Sequence, residues 1–103
     1  QCPRGKVYAQ LCAASLPRFV AAAQFDSGQK RAAEANMAKL LASEASWAAA
    51  NASLDAHGGF GFAVEYDIER KFRETRLYQV APINNNLVLA YLGQHVLGLP
   101  KSY

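Results

Sequence analysis

Ala56-His57-Gly58-Gly59-Phe60-Gly61-Phe62 interrupts an alanine-rich, helix-favouring chain with a cluster of glycines, and the charged run Glu65-Tyr66-Asp67-Ile68-Glu69-Arg70-Lys71-Phe72-Arg73-Glu74-Thr75-Arg76 follows it. A glycine cluster after a helix lets the backbone turn at positive φ, or lie close against something flat or charged. Gly59-Phe60-Gly61 invites comparison with a dinucleotide fingerprint. That motif, however, follows a strand and opens a helix inside a βαβ unit, whereas the residues before this one carry a helical pattern. From spacing alone the glycines read as a helix C-cap followed by a tight corner.

Upstream, Gln29 to about Ala56 reads as one long helix rich in Ala, Leu, Lys and Glu, with no glycine or proline inside it. Met37, Leu40, Leu41, Ala45, Ala48 and Ala52 form one stripe. The other faces are small, at Ala32, Ala35, Ala42, Ser46, Ala49, Ala50 and Ser53, so several helices can approach closely, as in a bundle interior. Trp47 stands out there as a packing or interface anchor. Before it, Val7, Leu11, Ala14, Phe19, Ala22 and Phe25 recur mostly at helical steps from Lys6 to about Asp26. Pro17 predicts a kink, or a break near Leu16. Asp26-Ser27-Gly28-Gln29 reads as a turn, with Ser27 or Asp26 placed to start the next helix.

Downstream, Glu65 to about Leu77 reads as a short charged helix with i,i+4 pairs Asp67–Lys71, Glu69–Arg73 and Arg70–Glu74. Ile68 and Phe72, with Tyr66, are expected to supply its buried side. Val80-Ala81-Pro82-Ile83-Asn84-Asn85-Asn86 ends that helix and caps the last one, about Asn85 to Leu97, with Ile83 and Val88 as a hydrophobic staple; Gly98 and Pro100 stop it. The fold class is all-α: an antiparallel helical bundle of three long helices and one short charged helix, read as a fragment of a larger four-helix-bundle domain.

The 103 residues, 51% hydrophobic and 18% charged, fit one small domain or part of one and exclude a disordered tail. Much of the apolar content is alanine, so the stack gains little from burial and is expected to need neighbours. A start at Gln1 suggests a processed, excised or incomplete chain. The formal charge of +3 is scattered or interleaved with acids, a solvated-face pattern that disfavours nucleic acid. Cys2 and Cys12 are too few and too close to staple a scaffold, which points to free thiols in a reducing cytoplasm. Neither a membrane-spanning run nor a signal-peptide pattern is present in the sequence.

Met37-Ala38-Lys39-Leu40 with Ser43-Glu44, then His57-Gly58-Gly59-Phe60-Gly61-Phe62, Glu65-Tyr66, Ile68-Glu69-Arg70 and Phe72-Arg73-Glu74-Thr75-Arg76, together resemble the acyl-CoA dehydrogenase family over about Val7 to Leu97. The family pattern has an M-A-K helix, a G-G-x-G turn and an E-Y-x-x-E-R-x-x-R-D-x-R helix, in this order. The resemblance implies that residues 1–103 are the later part of the carboxy-terminal helical domain of an FAD-dependent oxidoreductase. The amino-terminal helical domain, the middle β domain and the first bundle helix would then lie outside the chain, and the fragment alone would be inactive. The intact protein is expected to act on an acyl-CoA thioester, pass electrons to an acceptor in fatty acid metabolism, and form a dimer or tetramer.

The resemblance also implies cofactor-binding positions. The turn at Gly58 and Gly59 would contact the adenosine diphosphate part of an FAD held by a neighbouring subunit. Asp55 stands where the family usually has glutamine, which puts a negative charge near an anionic cofactor unless it is turned away or paired. Many members carry a tyrosine-glutamate-glycine-threonine run whose glutamate removes the α proton while a hydride leaves the β carbon for the flavin. Here those positions fall on Ala81, Pro82, Ile83 and Asn84, and proline cannot be a base. The base then sits on another helix, or the full protein does different flavin chemistry. Asn84 and Asn86 can hydrogen-bond the flavin or its ribityl phosphate region, with simple capping equally open. Arg70, Arg73 and Arg76 read as ion-paired within the bundle. His57 and His95 receive no role, no metal-ligand cluster is evident, and no catalytic residue is assigned. A non-catalytic helical module that kept the bundle and lost the chemistry is the competing reading.

Overall fold

The structure, a computed structural model, describes residues 1–101. Helix α1 spans Cys2–Asp26, α2 Ala32–His57, α3 Ile68–Val80 and α4 Asn85–Tyr91. The glycine corner is two short 3₁₀ turns, Gly58–Phe62 and Val64–Tyr66, and α4 widens into a π-helical turn at Leu92–Val96. No strand occurs among the described residues.

Helix α2 is the axis. α1 lies antiparallel along it, so that Gln1 and Asp55 border one cleft and Arg18 and Ala38 another. α3 packs on its C-terminal half, where the Trp47 and Phe72 rings meet at 4.7 Å between centroids and the Arg76 guanidinium lies 5.2 Å over the indole. α4 reaches the N-terminal half through Lys39 and Ser43. Trp47 is thus the packing anchor its size suggested.

The core is small: Ala14, Leu40, Ala45 and Val88 are buried, together with Ser43. Of the stripe expected on α2, Leu40 and Ala45 are buried, Met37, Ala48 and Ala52 are half-buried, and Leu41 is exposed. The face expected on α1 is corrected more strongly. α1 meets α2 through buried Ala14 and half-buried Val7, Pro17, Ala21 and Gln24, whereas Leu11, Phe19 and Phe25 are exposed, Phe19 by 63%. Small side chains make the close contact and large ones point away, because backbone approach between helices favours small contact residues. The accessible surface of 7379 Å² exceeds the roughly 5,700 Å² of a compact monomer of this mass. The radius of gyration, 16.2 Å, likewise exceeds the expected value of about 13 Å.

Four local expectations are corrected. Pro17 does not break α1, which runs continuously through it. The carbonyl left without its helical donor, four residues back, belongs to exposed Ala13, where water can bond it. α2 starts at Ala32 with neither Asp26 nor Ser27 as its cap; the Ser27 hydroxyl donates back to Gln24 O, Gly28 turns at φ +75°, and Arg31 lies over Phe25. The charged helix starts at Ile68, not Glu65, because Asp67 adopts a left-handed conformation, φ 60°, that a helix interior cannot contain. The Ile83–Val88 staple is not evident: Val88 is 1% exposed, while Ile83 faces outward.

The ion pairs on α3 are Arg70 with Asp67 and Glu74, and Arg73 with Glu69. Arginine's planar fork takes both oxygens of Asp67, so Arg70 displaces the expected Lys71 partner. Hydrogen bonding from Arg70 holds the Asp67 carboxyl below its ordinary value of 3.8, and the same contact raises Arg70. A folded-state value below the unfolded one stabilises above about pH 4, and that contribution fades as pH falls through the folded value. Acidification below pH ~4 is therefore expected to fray the first turn of α3. Asp67→Asn should remove this component from an acid titration followed by circular dichroism, and identical titrations for the two proteins would refute it.

Candidate functional site

The glycine corner closes α2. Gly58 sits at φ 56° and ψ −136°, a conformation nearly reserved for glycine, and its N–H caps the helix at Asp55 O. A Cβ added at Gly58 or Gly59 would meet nothing within 4 Å, so both present bare backbone to the outside. Gly61 differs. A Cβ there would stand 2.8 Å from Leu54 Cδ1 and 3.1 Å from Leu54 O, so this glycine lets the corner fold back on the last turn of α2. Around it, Phe60 and Tyr66 approach at 5.5 Å and His57 and Tyr66 at 6.0 Å. His57 Nδ1 lies 2.8 Å from Ser53 O, which makes it the donor and leaves His57 a satisfied packing residue.

Asp55 is exposed and lines a cleft of about 870 Å³ between α1 and α2, shared with Arg4, Lys6, Asn51 and Trp47.

The asparagines lie elsewhere. Asn84 Oδ1 accepts the Leu87 N–H at 2.9 Å, so Asn84 is the N-cap of α4 and keeps its amide NH₂ free to donate. Asn86 is exposed, and both line a cleft of about 230 Å³ with Arg76, Gln79, Val80 and Asn85. Arg76 is a correction: among the described residues it has no acidic partner, but bonds Gln79 and lies over Trp47, so a guanidinium borders the cleft. The sequence pattern hid this because acids stand near it along the chain. Pro82 lines a separate, mostly apolar pocket of about 440 Å³ with Lys39, Ala42, Ser43, Ser46 and Tyr78.

The predicted positions therefore form two groups. Ser43, under α4, and Gly58 are separated by about 22 Å along α2 at 1.5 Å per residue. Asp55, Gly58 and Gly59 stand at one end, with Asn84 and Asn86 toward the other. The bare glycine backbone and the Arg76–Asn84–Asn86 donors suit anionic or polar ligand atoms, so the residues present fit a flavin dinucleotide. Among the described residues no group of three or more His, Cys, Asp or Glu could hold a metal ion, and no helix is long and apolar enough to cross a membrane.

Residues 3–94 match the family described as acyl-CoA dehydrogenase, C-terminal domain. Acyl-CoA dehydrogenase FadE12 of Mycobacterium tuberculosis is 36% identical over 103 residues, covering 98% of the chain and 26% of the relative. (2S)-methylsuccinyl-CoA dehydrogenase of Cereibacter sphaeroides is 47% identical over 55 residues, 53% of the chain and 10% of the relative. 3-(aryl)acrylate reductase of Clostridium sporogenes is 39% identical over 71 residues, 69% of the chain and 19% of the relative. The chain thus spans about a quarter of the length of the relatives it matches along its whole extent. No solved structure matches it significantly.

Proposed function

The chain belongs to the acyl-CoA dehydrogenase family, and from that membership we propose that residues 1–103 form the later part of the carboxy-terminal helical domain of an FAD-dependent enzyme that dehydrogenates an acyl-CoA thioester between its α and β carbons. The match over residues 3–94 carries the reading. In it, the bare backbone at Gly58 and Gly59 approaches the adenosine diphosphate part of an FAD held by a second subunit, and Asn84, Asn86 and Arg76 donate to the flavin or its ribityl phosphate region. Bound FAD supplies the acceptor for the hydride leaving the β carbon. The apolar face left open on α1 is expected to be covered by the rest of the domain and by the homo-oligomer. The exposed thiols of Cys2 and Cys12 fit a reducing compartment, and we assign the protein to the cytoplasm.

Proton abstraction comes from outside this part of the chain. All eight acidic residues lie at or before Glu74, and Pro82 occupies the position where many members carry the base. That observation also favours a second reading, a non-catalytic helical module derived from the family.

The purified natural polypeptide containing this chain should show a bound-flavin absorbance spectrum, and its absence after FAD is supplied would count against both the cofactor and the activity. A flavin spectrum with no turnover of any acyl-CoA tested would favour the module. The sharper test is Gly59→Trp. Gly59 needs no positive φ and has open space around it, so this substitution should leave the fold intact. It is expected to weaken FAD binding about tenfold, or about 1.4 kcal/mol. Wild-type flavin occupancy in Gly59→Trp, measured by titration of the apoprotein, would remove the corner from the cofactor site.

A further inference from the structure

Most side-chain hydrogen bonds in this chain join residues three or four apart, but one cluster spans 42 and 46 positions. Lys39 Nζ donates to Asn85 Oδ1 at 2.6 Å, Asn85 Nδ2 donates to Ser43 Oγ at 2.9 Å, and the Ser43 hydroxyl donates to Leu40 O at 2.9 Å. Ser43 is buried, and Lys39 and Asn85 are half-buried. No carboxylate pairs with Lys39 among the described residues.

The order of these bonds is forced by chemistry. An ammonium has donors only, so the Asn85 amide must turn its oxygen toward Lys39 and its NH₂ toward Ser43. Ser43 Oγ then accepts from that NH₂ and spends its single proton on the nearer Leu40 O rather than on Asn85 Oδ1 at 3.2 Å. Asn85 is the first residue of α4, a helix of 7 residues before its π turn, too short to hold itself. This amide ties its start to α2, and Val88, three residues on, is buried. Asn84, immediately before, carries the cap that accepts from Leu87 N.

We propose that Lys39 is a positioning residue: by fixing the orientation of the Asn85 amide it locks the first turn of α4 and thereby aims Asn84 and Asn86. The part of this that concerns the cofactor rests on the reading of Asn84 above. Positioning itself is independent of that reading.

The test uses the intact natural polypeptide with FAD supplied, and the variants Lys39→Met and Lys39→Arg. Hydrogen exchange is followed in peptides covering 83–91 and, as an internal reference, 7–20. Lys39→Met should speed exchange across 83–91 about tenfold while the reference changes less than about twofold, and Lys39→Arg, which keeps a charged donor, should restore most of the protection. Unchanged exchange at 83–91, or equal acceleration in both peptides, would overturn the proposal, the latter because it signals only a loss of general stability. Local acceleration with an unaltered visible circular dichroism of the bound flavin supports positioning and removes Asn84 from the cofactor site, so the two readings fail separately. Should Lys39→Met not fold, Asn85→Asp decides. A carboxylate facing Lys39 strengthens the contact and should slow exchange at 83–91 about twofold or more, whereas faster exchange overturns the proposal.

Discussion

Gly61→Val is expected to destabilise the chain by about 2 kcal/mol, within the range typical of overpacking. The backbone at Gly61 tolerates a side chain, so the cost is one of space alone. The added Cβ falls 2.8 Å from Leu54 Cδ1, which can rotate away, and 3.1 Å from Leu54 O, which cannot move without unwinding the end of α2. His57 Cβ, at 3.5 Å, closes the remaining side. The double variant Gly61→Val with Leu54→Ala should recover part of the loss and no more, since the carbonyl clash persists. Denaturant unfolding followed by circular dichroism measures both. A change below about 0.5 kcal/mol in Gly61→Val, the level of an ordinary surface substitution, would mean that the corner does not press on α2 as the structure has it.

This separates roles that the sequence runs together. Gly58 is needed for its φ of 56°, Gly61 for the space it leaves against Leu54, and Gly59 for neither. Gly59 is therefore the glycine at which an effect on a ligand can be read without an effect on the fold. The same separation applies at the other group. Asn84 is committed as a cap, Asn85 is committed to Lys39 and Ser43, and Asn86 alone of the three stands exposed without a structural duty.

The helices, their order and the all-α class were legible because Ala, Leu, Lys and Glu runs broken by Gly28, the glycine corner and Pro82 leave few alternatives. The facing of α1 was not, for a physical reason. Large apolar residues surround that helix on several sides, so periodicity has no single answer, and the helix contact selects the small ones, Ala14 and Ala21. The start of α3 was missed because only the left-handed turn at Asp67, not helix propensity, ends the 3₁₀ segment there. At the candidate site the glycines and asparagines are proposed through family resemblance. Lys39 with Asn85 was not, since nothing in the chain marks two residues 46 apart as partners. Arg76 was misread for the opposite reason: nearby acids suggested a pair that Trp47 and Gln79 pre-empt.

Trp47→Ala is expected to carry the largest cost, about 3 kcal/mol, at the low end for an aromatic truncation because the indole is only half-buried. Two named contacts go with it: the ring pair with Phe72 at 4.7 Å, worth about 0.5–1.5 kcal/mol beyond its area, and the Arg76 guanidinium over the indole, worth about 0.5–1 kcal/mol. Both belong to the joint between α2 and α3, the one that fixes the glycine corner at one end of α3 and the Arg76–Asn84 cleft at the other. Trp47→Phe keeps the ring contact and most of the area, so its loss should stay below about 1.5 kcal/mol. If Trp47→Ala cost less than about 1 kcal/mol in denaturant unfolding, the indole would be serving a surface outside this chain rather than the α2–α3 joint. The expected outcome carries a second signature: freeing Arg76 from the indole loosens the cleft it borders, so Trp47→Ala should weaken FAD binding in the intact protein while Trp47→Phe leaves it near wild type.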